Sequence, residues 1–110
     1  MSRLGTVLGR LSAVIAARRG GDPAASWSAR LLSDRSLAAK KLAEEAVETA
    51  LAAALNDRAG IVAESADLIY HWLVVLAGAG VSLDEIAEAL EAREGRSGVA
   101  EKAARPAGPR

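Results

Sequence analysis

The chain has no cysteine and no phenylalanine, a single histidine, and only three aromatic residues in 110. Lacking cysteine, it can form neither a disulfide scaffold nor a thiolate metal site, and it has no thiol nucleophile. With so few aromatics, any core must be built from leucine, valine, isoleucine and the abundant alanine, side chains that suit closely packed helices. Charge of one sign is missing too: 14 basic residues balance 14 acidic ones, which argues against broad nucleic-acid binding through a basic surface. No long apolar run is present. The longest, Trp72–Leu83, contains glycine and is too short to span a bilayer. The N-terminal apolar residues are interrupted by Arg10, so no signal-peptide core precedes a cleavage site. These absences predict a soluble cytoplasmic protein with no membrane partner. Its length fits a single domain.

Helix signals recur along the chain and strand signals are weak. Leu4, Leu8, Leu11 and Ile15 fall at helical spacing, predicting a first helix over 3–18 that ends at Gly20, Gly21 and Pro23. A short helix is expected over 26–34, with Ser26 or Ser28 as N-cap. After a turn at "SDRS", a long helix is expected over 37–55. Asp57 can cap the next, over 58–77. Gly78 and Gly80 offer a left-handed stop, and Ser82 an N-cap for a last helix. The expected fold is all-α, a bundle of four to five helices whose core is completed by dimerisation. Residues 1–94 form the domain, and 95–110, rich in glycine and proline without apolar period, read as a flexible tail.

The segment "KKLAEEAVETALAAALNDRAGIVAESADLIYH" (40–71) places acids where apolar residues would pack better. Glu45 and Glu48 lie three apart and share a helix face, Glu44 and Glu48 lie four apart and are also adjacent, and Glu64 and Asp67 repeat the three-residue spacing on the next helix. The turn at 56–58 is short, so the two helices should be antiparallel neighbours with residue 48 opposite residue 64. The second helix continues "LIYHWLVVLA", apolar nearly all round, which predicts burial. Buried carboxylates need partners or lose their charge. Lys40 and Lys41 cannot neutralise five clustered acids. A hard divalent cation with oxygen ligands, Mg²⁺ above all, can do much of the rest.

These residues resemble a known family. "EEAVE", a spacer of 15 residues, then "ESAD" is similar to the E-E-x-x-E…E-x-x-D signature of the all-α NTP pyrophosphohydrolases, the MazG-like superfamily. With "SWSARLL" (26–32) and "DLIYHWLVVLAGAGVSLDEI" (67–86), the chain most resembles phosphoribosyl-ATP pyrophosphohydrolases, over about residues 4–93. The resemblance implies a homodimeric, Mg²⁺-dependent, nucleotide-binding hydrolase of histidine biosynthesis. Its substrate would be phosphoribosyl-ATP, cleaved at the α–β phosphoanhydride to phosphoribosyl-AMP and pyrophosphate. It further implies that Glu45, Glu48, Glu64 and Asp67 bind the metal and that Lys40 and Lys41 face the phosphates. Glu44 or Glu48 would take the proton from water, and the sequence does not choose between them.

Departures from the family pattern are Ser65, where a small residue such as alanine is usual, and "LLSDRS" (31–36) in place of a glycine-containing turn. His71 reads as a partly buried histidine bonded to a carboxylate or carbonyl, since Mg²⁺ prefers oxygen. Trp27, Tyr70 and Trp72 read as packing residues, and Arg30 as exposed. Two other functions compete: an NTP or dNTP pyrophosphatase that cleanses the nucleotide pool with the same acids, and a non-enzymatic helical interaction module for which the acids would be dispensable.

Overall fold

Helices make up the regular structure of the computed structural model, which describes residues 2–95; apart from Gly95, the tail expected over 95–110 lies outside the described residues. There are five helices: α1 (Leu4–Ala17), α2 (Trp27–Leu32), α3 (Arg35–Ala54), α4 (Arg58–Ala79) and α5 (Leu83–Glu91), with no strand among the described residues.

The helix boundaries follow from caps. Ser26, Asp34, Asp57 and Ser82 are extended or nearly so, and each side chain accepts a backbone N–H from the first turn of its helix, satisfying a donor that the helix itself leaves free. Ser82 and Glu85 form a reciprocal capping box. The "SDRS" segment is therefore a start rather than a turn, and α3 begins at Arg35, two residues earlier than expected. At the other end of α4, Gly78 stays helical and Gly80 alone takes the left-handed conformation, φ 71°. Val81 N–H closes that end by donating to the Leu76 carbonyl, as in a Schellman stop. The α3–α4 connection turns on Asn56 at φ 53°, a conformation that asparagine tolerates better than most residues.

The α3–α4 antiparallel hairpin is the frame of the molecule, and α1 and α2 pack against it. The core lies where the four meet: Ile15, Leu31, Ala38, Leu73 and Val74 are buried, ringed by the half-buried Leu8, Leu11, Leu37, Ile69 and Trp72. The Arg19 guanidinium donates to the Ala77 carbonyl, tying the chain after α1 to the C-terminal end of α4, where a cation complements the helix dipole. Every residue of the segment 68–77 is buried or half-buried, as its composition suggested. His71, Leu73 and Val74 are the buried residues of α4 among those described, where α1, α2 and α3 pack on it. At 22 residues and mean hydropathy 1.4, α4 is long and apolar enough by composition to cross a bilayer, although the apolar run within it is not. Its packing along α3 and its acids at 64 and 67 are those of a core helix carrying a site, since a charge inside a bilayer costs several kcal/mol.

Gly60 and Asp57 form one device. A Cβ on Gly60 would lie 2.3 Å from Asp57 Oδ2, so a side chain there displaces the cap. Asp57→Ala should cost about 1 kcal/mol. Gly60→Ala should cost rather than gain stability, and the pair should be less than additive because both remove one interaction. Denaturant unfolding of the two single variants and the double variant checks this.

Candidate active site

Glu45 and Glu48 stand on the face of α3 turned toward α4, and Glu64 on α4 faces them across the hairpin. One carboxylate oxygen from each lies within 4.8 Å of the others. Glu45 is buried, 7% exposed, Glu64 is half-buried and Glu48 is open to solvent. The Oε2 atoms of Glu45 and Glu64 are buried without a hydrogen-bond partner. Buried acceptors almost always find a donor. Here the neighbours are other carboxylates, which when ionised have no hydrogen to give.

The electrostatic consequence falls on Glu64. Its pKa is pushed up to about 7, first by hydrogen bonding with the Glu48 carboxylate, which favours the protonated form, then by burial, by the Glu48 charge and by Glu45. Like charges brought this close cannot all ionise cheaply. A divalent cation relieves the same strain. Its oxygen ligands sit at about 2.0–2.6 Å from the ion, so they lie up to about 5 Å apart across it, and the span of the three acids matches that. The donor set, all carboxylate, fits a hard cation.

The other expected site residues distribute around this centre. Asp67, one turn beyond Glu64 on α4, is exposed and stands outside the three-acid group. Lys41 Nζ donates to Glu44 Oε2 at 3.0 Å, the only salt bridge among the described residues. That hydrogen bond lowers the Glu44 pKa and raises that of Lys41. The pairing is i,i+3. Glu45 turns inward, and Lys40 is exposed. A cavity of about 520 Å³ lies elsewhere, lined by Leu31, Ala38, Val74 and Val75 with Arg35 among them. It is apolar and contains no carboxylate, so the chemistry does not reside in it.

His71 is buried, 7% exposed. Its Nδ1 lies 2.8 Å from the Asp67 carbonyl, and Trp27 Nε1 donates to its Nε2 at 3.4 Å. A carbonyl only accepts and an indole N–H only donates, so His71 is the neutral Nδ1–H tautomer, bonded to a carbonyl as the sequence suggested. The donor from Trp27 was missed, as was the 2.6 Å hydrogen bond between Ser28 and Tyr70. "SWSARLL" was the signal that held both.

Helices that gather unpartnered carboxylates on a hairpin, with a lysine beside them, define a class: helical proteins whose paired helices present an acidic cluster that could hold a metal ion. Within that class the chain belongs to the phosphoribosyl-ATP pyrophosphohydrolase family, whose model matches residues 8–94. It is 62% identical over 103 residues to a protein of Caulobacter vibrioides named phosphoribosyl-ATP pyrophosphatase, covering 94% of this chain and 96% of that one. Proteins of the same name from Caulobacter sp. strain K31 and Rhodobacter capsulatus are 59% and 52% identical, over 96% and 91% of this chain and 99% and 98% of theirs.

The raised Glu64 pKa carries a sign for stability. Between its unfolded value and about 7 the native state binds a proton that the unfolded state does not, so without cations stability falls as pH rises through that window. Glu64→Gln removes this loss. In chelator-treated protein the variant should gain thermal stability relative to wild type as pH is raised from about 5 to about 8. A pH-independent offset between the two melting curves would contradict the coupling.

Proposed function

We propose that this protein hydrolyses the α–β phosphoanhydride of phosphoribosyl-ATP, releasing pyrophosphate and phosphoribosyl-AMP, a step of histidine biosynthesis carried out in the cytoplasm. The observation that carries the reading is the pair of buried, unpartnered carboxylate oxygens on Glu45 and Glu64 facing Glu48, in a chain of this family. We take the cation to be Mg²⁺, held by Glu45, Glu48 and Glu64 with Asp67 joining from the next turn. An ion there would take oxygen ligands from these carboxylates and leave its remaining positions to water and substrate phosphate. When bound, the ion supplies neutralisation of phosphate charge and acidification of water.

The chain's own groups do the rest. Lys41 and Lys40 stand at the α3 side of the acids, Lys41 half-buried and already ordered by Glu44. Positive charge there orients the phosphate chain, and phosphoryl transfer depends mainly on such positioning and electrostatics. Of the two acids proposed to accept the water's proton, Glu44 is engaged by Lys41 and held ionised below the usual carboxylate range. Glu48 is solvent-open beside the centre and is the freer acceptor. Glu48→Ala and Asp67→Ala should each lower Mg²⁺-dependent pyrophosphate release from phosphoribosyl-ATP by about a hundredfold or more with helix content kept. The assay runs beside a panel of common NTPs. Faster turnover of those would transfer the assignment to a nucleotide-pool pyrophosphatase.

We further propose that the chain works as a homodimer. Val47 and Leu51 on α3 and Leu55 just past its end recur every four residues and are exposed, Leu55 by 78%, with Val62 exposed on α4 near the same tip. Among the described residues only seven apolar ones are buried, a small core for a chain of this length, and α5 buries none of its residues. Sedimentation at micromolar concentration should give a dimer, and Leu51→Asp should shift it toward monomer. A wild-type monomer would contradict this.

A further inference from the structure

Trp27 is an unusual residue to leave outside. In a chain with three aromatics it is 42% exposed, yet its orientation is fixed at two points. Its indole N–H donates to His71 Nε2 at 3.4 Å, and the Arg30 guanidinium stands over its ring, 5.7 Å from the centroid, within cation–π range. The neighbouring hydrogen bond between Ser28 and Tyr70, 2.6 Å, pins the same turn of α2 to α4. A short helix, itself only six residues long, is thus locked to α4 by two polar links that involve both of its outward aromatic and hydroxyl groups. The lock lies close to the acids. His71 Nδ1 reaches the Asp67 carbonyl at 2.8 Å, and Glu64 is one further turn back along the helix. The indole therefore stands about two helical turns, roughly 10 Å along α4, from Glu64.

We propose that Trp27 and Arg30 form the subsite for the nucleotide's base and outer phosphate: the base stacks on the ring face that Arg30 leaves open, and the guanidinium contacts the phosphate of the ribose attached to that base. The inference rests on the phosphoribosyl-ATP reading. That substrate carries an adenine between two ribose phosphate arms. Cleavage of one arm at the acids leaves the base and the other arm to be held some ångströms away, which is the distance at which the pair stands. A neutral aromatic face accepts a purine, and a guanidinium pairs with phosphate in fixed geometry. Among the described residues nothing else on this side offers both. Tyr70 faces Ser28 and packs edge-on to His71, and Trp72 is half-buried against the core. Because the hydrogen bond from Trp27 to His71 sets the ring plane in advance, little ordering is left to be done on binding.

The test compares Trp27→Phe, which keeps the ring face and loses the N–H, with Trp27→Leu, which loses both, and with Arg30→Gln. For each full-length variant, kcat and KM for phosphoribosyl-ATP are measured with Mg²⁺, and the dissociation constant of phosphoribosyl-AMP is measured by titration calorimetry. Trp27→Leu should raise KM and the phosphoribosyl-AMP dissociation constant together by about tenfold, as loss of base stacking does, with kcat held within about threefold. Trp27→Phe should stay within about threefold of wild type in both, and Arg30→Gln should weaken both by roughly threefold to tenfold. Unchanged binding in Trp27→Leu overturns the proposal, as does a Trp27→Phe defect as large as that of Trp27→Leu, which would make the indole N–H a structural tie only. If Trp27→Leu fails to fold, unchanged KM in Arg30→Gln is the overturning result. Should wild type fail to hydrolyse phosphoribosyl-ATP while phosphoribosyl-AMP still binds in a Trp27-dependent way, the reaction assignment falls and the base subsite stands.

Discussion

The structure depends on negative charge held where it has no partner. Glu45 is nearly closed off from solvent, Glu64 is half-closed, and each keeps an oxygen with nothing to accept from. A fold optimised for stability alone would place leucine or alanine at these positions, as the rest of the hairpin does. An unpartnered buried polar atom costs about 1–3 kcal/mol, and more when charged. Functional sites are where such local conflicts persist. The α3–α4 hairpin is what makes the conflict possible: two helices with caps at both starts and a tight Asn56 turn fix the register that sets residue 48 against residue 64.

The rest of the molecule can be understood as support for that hairpin. Helix α1 covers one side of α4 and α2 bridges α3 and α4, so the core sits toward the C-terminal half of α4, away from the hairpin tip. The tip keeps Val47, Leu51, Leu55 and Val62 exposed. The acids lie between these regions, with a packed core on one side and an uncovered apolar edge on the other. His71, tied between the Asp67 carbonyl and the Trp27 indole, links α2 to the turn of α4 that carries Asp67.

Much of this was legible in the sequence, where local chemistry decides. Ser26, Asp57 and Ser82 announce helix starts, and the facing of Glu48 and Glu64 follows from a short turn and the helical period. Where the outcome depends on rotamers or on tertiary placement, the sequence was less informative. Lys41 had acids at i+3, i+4 and i+7, and its choice of Glu44 is settled by Glu45 turning inward. Asp34 serves as a cap although "SDRS" also reads as a turn. The link between Trp27 and His71 spans 44 residues and leaves no periodic trace.

The central claim is that Glu45, Glu48 and Glu64 are a cation site whose strain a proton and Mg²⁺ relieve alternately. Titration calorimetry of Mg²⁺ into the protein, repeated in buffers of different ionisation enthalpy, counts the protons released per ion bound. With Glu64 titrating near 7, binding at about pH 6 should release close to one proton, and at about pH 8.5 almost none, with affinity rising between the two. Binding with no proton release at the lower pH, at an affinity that does not change with pH, would contradict the account.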